Sequence, residues 1–474
     1  MRADRMAEVE LVEPAGDGVP DEAAGRASRL RGRRVLRRWW PVPAAALTVL
    51  VGWQALDGSA DEVAAERLRA TPGVIGTTVT APLGATPWGD EVAADVLADP
   101  FRAPDGLWAG AIAPARGAPA DLVGIDPATG AEVWRRALAP APPPGGYVLV
   151  TDCTSGEDPA RVLWCVVADG SAPGAPGAVP TRLLRVDLTD RTVARAEELA
   201  PGSAAIAVGS ALVVATSGTE DIDLVATDAV SGELRWRAAV PDPLGGSGGR
   251  PGPVLSVSGG HLLVGGLTRT WSLDPGTGAV EASGPVLLVV RGDRLAEVVG
   301  SSRTRLRGED GAGTAEVEGQ ALQPAPDDGS AADLLLVRVL DGTAPGLLRA
   351  VDARTGEVVW ERTGSGSVVT NHLLLGGVLY GSTRGAVWAV DVRTGADVWS
   401  TPGEPGDTGR LMTDGRALLR TERVAGTGQR VLAAYGLDGG RRAWSTPLPP
   451  GVDQVWTQDG VLYGRTADGV VLLG

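Results

Sequence analysis

One phrase recurs along this chain at a nearly fixed interval, and a fixed interval narrows the possible folds more than any other property of a sequence. It reads GIDPATGAEVW at Gly124 to Trp134, ATDAVSGELRW at Ala226 to Trp236, AVDARTGEVVW at Ala350 to Trp360 and AVDVRTGADVW at Ala389 to Trp399. Worn copies are SLDPGTGAVEA (Ser272 to Ala282), RVDLTDRTVAR (Arg185 to Arg195) and AYGLDGGRRAW (Ala434 to Trp444), the last with Gly436 in the Asp place. Positions 126, 187, 228, 274, 352, 391 and 436 are separated by 61, 41, 46, 78, 39 and 45 residues. The unit is therefore about 40 residues, 78 being two units and 61 one unit with an insertion. A diverged copy near Thr304 to Val317, with Asp310 in the Asp place, fills the long gap.

Each position of the phrase has a physical task. Apolar, β-prone runs before the Asp and up to the Trp make it a hairpin. Asp126, Asp228, Asp352 and Asp391 are suited to accept hydrogen bonds from turn amides, and Gly130, Gly232, Gly356 and Gly395 to take the left-handed conformation of a type I turn with a bulge. Trp134, Trp236, Trp360, Trp399 and Trp444 stand four residues beyond the Gly, and a small residue stands two before the Asp in the better copies. A flat ring and a facing gap suit the packing of one sheet on the next. Two more strand-like runs separate the hairpins, as GSVVTN and VLYGST do before AVWAVDV. Four strands in roughly 40 residues is a propeller blade, and the 68 Gly and 35 Pro supply its turns.

The fold class is all-β: a β-propeller of four-stranded blades, eight expected, with seven the alternative. Eight hairpins are counted, and Gln454 to Gly474 adds three strand-like runs. Their fourth partner is expected from VIGTTVT, Val74 to Thr80, which closes the ring and removes its sheet edges. Eight blades then require one hairpin to be an embellishment or a shared blade.

The pattern A-x-D-x-x-T-G-x-x-x-W, whole at Ala350 to Trp360 and at Ala389 to Trp399, resembles the blade repeat of pyrroloquinoline-quinone-type propellers. The resemblance covers about Leu107 to Gly474. It implies a tryptophan that docks adjacent blades and a ring that commonly has eight. A dehydrogenase of that family is also expected to carry a calcium-binding carboxylate and Asn set, a catalytic Asp, an aromatic floor under the quinone and often an adjacent cysteine pair. Here the Asp residues are explained by turns, and the two cysteines are twelve apart. No catalytic, cofactor-binding or metal-binding residue is therefore assigned; pyrroloquinoline quinone with calcium remains an alternative without residues behind it. His261 and His372 open the similar runs HLLVGG and HLLLGG and read as structural histidines in equivalent blade positions. No Walker loop, EF-hand or nucleophile elbow is present.

The N-terminal region addresses compartment. Residues 26–38 hold seven Arg and no acid, residues 39–56 are uncharged, and Asp57, Asp61, Glu62 and Glu66 follow. As a helix, 39–56 would span about 27 Å, enough to cross a bilayer with the N-terminus inside. The expected organisation is a cytoplasmic Arg-rich tail (1–38), a transmembrane signal anchor (39–56), a linker (57–73) and an extracytoplasmic propeller (74–474). Cleavage near Gly58-Ser59-Ala60, giving a secreted protein, is the alternative. Cys153 and Cys165 flank a polar turn between two strand-like runs and read as a disulfide, in keeping with export. The net charge of −15 argues against nucleic acid as a partner. Every basic residue is arginine, a sign of a GC-rich, actinobacterial type of genome.

Three functions fit these features. The first is a non-enzymatic, membrane-anchored platform that binds a protein or envelope partner. The second is a quinone-dependent dehydrogenase with a diverged site, and the third a cell-envelope sensor.

Overall fold

In the computed structural model, residues 62–474 are described except 113–118, 141–146, 157–158, 171–180, 201, 243–252, 267, 291–293, 300–301, 308–312, 340–345, 364–370, 384 and 404–409. The proposed anchor at 39–56 and Asp310 lie outside the described residues. One compact unit runs from Ala65 to Gly474. Among the described residues no helix is long and apolar enough to cross a membrane.

The strands form nine four-stranded antiparallel sheets, each a meander of consecutive strands except the last. Blades 1 to 8 occupy residues 101–139, 147–199, 204–241, 254–284, 286–318, 320–363, 373–402 and 412–447. Blade 9 is Gln454–Gln458, Val461–Thr466 and Gly469–Leu473, completed by Ala85–Gly89. First strands of neighbouring blades approach one another, Tyr147–Thr154 with Ala204–Val208 and the latter with Val254–Ser258, so first strands line the axis. A meander puts its first and third turns at one end and its second turn at the other. The phrase turns therefore share one end of the ring with the turns between first and second strands.

The ring has nine blades, not the expected eight or seven. Every phrase builds its own sheet, including the diverged copy whose strands are Arg303–Arg307 and Gly313–Glu318. None is an embellishment, and the three C-terminal runs make a further blade. The closing strand is also not Val74–Thr80. Ala85 pairs with Leu473, Thr86 with Leu472 and Pro87 with Val471. The earlier segment instead crosses the phrase-turn end over blades 8 and 9. There the Ile75 amide donates to Thr413 O at 2.8 Å, that of Gly76 to Gly460 O at 2.7 Å and that of Val79 to Asp414 Oδ2 at 2.9 Å. Val74 is buried in the apolar layer of blades 7 and 8, and Ile75 and Val79 in that of blades 8 and 9.

The choice of Ala85–Gly89 follows from Trp88. Its indole N–H donates to Pro127 O at 3.0 Å, and a Cβ on Gly130 would lie 2.8 Å from the ring. An N-terminal strand thus supplies the docking tryptophan that the last blade lacks. The helix Glu91–Ala98 follows, its first turn capped by Asp90, which accepts from the Ala93 amide at 3.1 Å. Ala93, Val96 and Leu97 bury against Trp88, Trp108 and Tyr463. Trp88→Ala should destabilise the junction of blades 9 and 1 by about 3–5 kcal/mol, the usual cost of truncating a buried aromatic. Equilibrium urea denaturation followed by fluorescence measures it, and loss of closure predicts an early transition confined to blades 9 and 1.

Candidate functional site

The phrase turn is built alike in copy after copy. In blade 7 the Asp391 carboxylate accepts from the amides of Arg393 (3.0 Å) and Thr394 (2.8 Å) and from the Thr394 hydroxyl (2.8 Å). Asp352 does the same with Arg354 and Thr355, and Asp228 with Val230 and Ser231. Asp126 accepts from Ala128. Gly395 closes the turn at φ +70°, and its amide donates to Asp391 O. A bulge then falls just before the Trp, where Ala389 pairs with Trp399 and Val390 with Asp397. The small residue two before the Asp is thus the cross-strand partner of the Trp, as it is for Ala226, Ala350, Ala434 and Gly124. These hydrogen bonds hold the Asp352 carboxyl below the ordinary range, the Thr355 amide contributing most; for Asp391 the Thr394 hydroxyl is the largest cause.

Each docking tryptophan reaches the next blade at two fixed points. The indole N–H of Trp236 donates to Pro275 O (2.9 Å), of Trp360 to Val392 O (2.7 Å) and of Trp399 to Leu437 O (2.7 Å), each acceptor being the residue after the Asp place. The ring then covers the turn glycine. A Cβ on Gly278, Gly395 or Gly440 would stand 2.1–2.6 Å from Trp236, Trp360 or Trp399. Two tryptophans depart from this pattern. Trp134 faces Arg191, which holds the glycine place at φ 57°; the guanidinium lies 6.0 Å from the ring centre and the indole N–H has no partner. Trp444 is only half-buried, because blade 9 has no turn between its third and fourth strands for it to cover.

Cys153 and Cys165 are paired across the first two strands of blade 2 and form a disulfide. The two histidines are not equivalent. His261 opens the second strand of blade 4 and bonds Glu281 at 2.7 Å, whereas His372 precedes the first strand of blade 7 and is buried. Similar runs misled because Leu373–Leu375 is itself that first strand, the place given to GSVVTN, most of which lies outside the described residues. Where blades 9, 1 and 2 meet, Phe101, Arg102, Trp108, Ser155, Gln458 and Asp459 line a depression of about 200 Å³. Arg102 and Asp459, both in that lining, lie 3.6 Å apart. That volume is below the roughly 300–1,000 Å³ of ordinary small-molecule pockets. No sequence signal marked it, since its walls come from three blades.

A closed ring of meander blades docked by Trp-to-Gly contacts defines a propeller of the pyrroloquinoline-quinone-like class. The family described as outer membrane protein assembly factor BamB matches residues 118–401 and 302–461, and the chain belongs to it. No curated protein matches the chain in sequence. Among solved structures it is similar to the computationally designed Ika8 protein (13% identity, 77% of this chain and 92% of that one, TM-score 0.36). It is also similar to a europium-containing methanol dehydrogenase (13%, 70% and 81%, 0.34). A third is the quinohemoprotein alcohol dehydrogenase from Comamonas testosteroni (13%, 82% and 76%, 0.36).

The phrase carboxylates accept from their own turns, and among the described residues no three His, Cys, Asp or Glu side chains gather. The cysteines, bonded across a hairpin, form no adjacent pair.

Two outcomes follow. Gly395→Ala, which adds a Cβ against Trp360 at positive φ, should cost about 2 kcal/mol or more, against less than about 0.5 for Gly439→Ala in open space; denaturant midpoints compare them. Since the Asp228, Asp352 and Asp391 carboxyls sit low in the folded state, their stabilisation is complete above the unfolded value near 4 and is lost as pH falls below it. The urea midpoint should drop across that window, and a D352A/D391A double variant should flatten the drop while losing stability at pH 7.

Proposed function

We propose that this protein is a non-catalytic propeller that serves as a rigid binding platform for a protein partner outside the cytoplasm, anchored by residues 39–56. The observation that carries this reading is that the repeat's chemistry-bearing residues are engaged in architecture: Asp in turns and Trp in blade docking. A framework that fixes nine blades to one another leaves its two rims of loops as the adaptable surface. The family's name, an assembly factor, describes a protein that works through other proteins, and a protein partner suits this chain equally. The uncharged stretch behind seven arginines gives the anchor, and the disulfide suits an oxidising compartment. No quinone takes part.

The deciding experiment has two arms. Full-length protein is incubated with pyrroloquinoline quinone and calcium, desalted and read by absorbance; no retained cofactor and no dye-linked alcohol oxidation are expected, and stoichiometric retention would replace this reading with a dehydrogenase. In parallel, whole-cell crosslinking is expected to yield one reproducible protein adduct, in a membrane fraction from which carbonate does not extract the chain. Carbonate extraction of the intact chain would remove the anchor from the proposal.

A further inference from the structure

Where blades 9, 1 and 2 meet, the depression of about 200 Å³ has room for one large side chain. Its lining runs from buried and aromatic to exposed and charged. Trp108 is buried and Phe101 half-buried, whereas the Arg102 and Asp459 side chains are 57% and 39% exposed. The depression sits at the phrase-turn end of the strands that line the axis, because Phe101–Arg102, Tyr147–Thr154 and Gln454–Gln458 are the first strands of their blades.

Its walls are held in place by contacts behind them. Asp459 and Gly460 form a two-residue hairpin turn with φ 47° and 73°, the conformation an Asp-Gly pair favours. The strap fixes that turn, the Gly76 amide donating to Gly460 O at 2.7 Å. On the other side, the Cys153–Cys165 disulfide staples the hairpin that carries Ser155 and Ala160. The Ala160 amide donates to Arg102 O at 2.7 Å, and a Cβ on Gly156 would collide with Gly209 O, so this hairpin is fitted against blades 1 and 3 as well. A recess fixed before its ligand arrives loses little freedom on binding.

We infer that this depression receives a tyrosine side chain of the protein partner, a site that rests on the platform reading above. Arg102 Nη2 and Asp459 Oδ2 stand 3.6 Å apart, beyond a hydrogen bond but close enough for one hydroxyl oxygen to bond both. The guanidinium only donates and the carboxylate only accepts, so the group that answers them together is one that does both. A phenol accepts from Arg102 and donates to Asp459, while its ring packs against Phe101 and Trp108. The alternatives each fail a condition. Phenylalanine makes no hydrogen bond, indole only donates, and histidine splits donor and acceptor between two ring atoms. Serine, threonine and the amides leave the aromatic end unfilled, a cation meets Arg102 and an anion meets Asp459. Tyrosine is also among the residues that concentrate binding energy in such recesses.

The probe is N-acetyl-tyrosinamide, which carries the side chain without terminal charges, compared with N-acetyl-phenylalaninamide by saturation-transfer NMR on the full-length protein. The tyrosine amide should bind about fivefold more tightly, the net worth of one hydrogen bond. Asp459→Gly keeps the left-handed turn and removes the acceptor, and Arg102→Met keeps an apolar stem and removes the donors. Each should erase the difference at unchanged circular dichroism. Equal affinities, no saturation transfer from either amide, or a preference that survives in either variant overturns the inference. Whole-cell crosslinking separates it from the platform reading. With Gln458→p-benzoylphenylalanine, the partner should be captured through a tyrosine-bearing segment. An adduct formed elsewhere on the ring but not from position 458 overturns the tyrosine site and leaves the platform, whereas no adduct from any position overturns both.

Discussion

The ring depends on one contact repeated around it: an indole laid over a neighbouring blade's turn glycine, with its N–H on the carbonyl after the Asp place. It joins two things a sheet cannot supply alone. The ring buries a large apolar area in the gap between blades, and the directional hydrogen bond fixes where along that gap the blades meet. The positive φ of the glycine is required by the turn, and its missing Cβ is required by the tryptophan of the neighbour. One residue thus satisfies two constraints from two blades, and the whole phrase follows.

Closure uses the same contact. Trp88, 42 residues before Gly130 in the chain, plays the part that a phrase tryptophan plays elsewhere, so the ring is sealed by sheet pairing and by docking at once. Junctions without a standard tryptophan contact use other means. Arg191 stacks on Trp134 between blades 1 and 2, and Glu297 with two arginines fills the gap between blades 4 and 5. The blade 6 and 7 junction combines docking through Trp360 with the Arg362 guanidinium 5.6 Å from the ring centre of Trp388.

Legibility in the sequence tracked the range of the interaction. The Asp turn, the left-handed glycine, the bulge and the paired small residue all act within eleven consecutive residues, and each stands where the phrase implies. The cystine was equally readable, because its two residues bracket one hairpin. The histidines show the limit: HLLVGG and HLLLGG look alike, yet one begins a second strand and the other precedes a first, since strand order depends on turns further along. The closure depression was invisible for the same reason, being assembled from residues on separate sheets.

By itself the sequence determined the blade and its family of fold, because a hairpin with its docking residues is encoded locally and repeated often enough to be recognised. Tertiary structure alone decided the number of blades and the strand that closes them. Nine rather than eight turned on every hairpin building its own sheet, and closure on which upstream segment pairs with the last strand: Ala85–Gly89 does so where Val74–Thr80 is drawn instead to Thr413, Asp414 and Gly460. Both segments are short and β-prone. Which of them completes a sheet is settled by partners hundreds of residues away, which local propensity does not record.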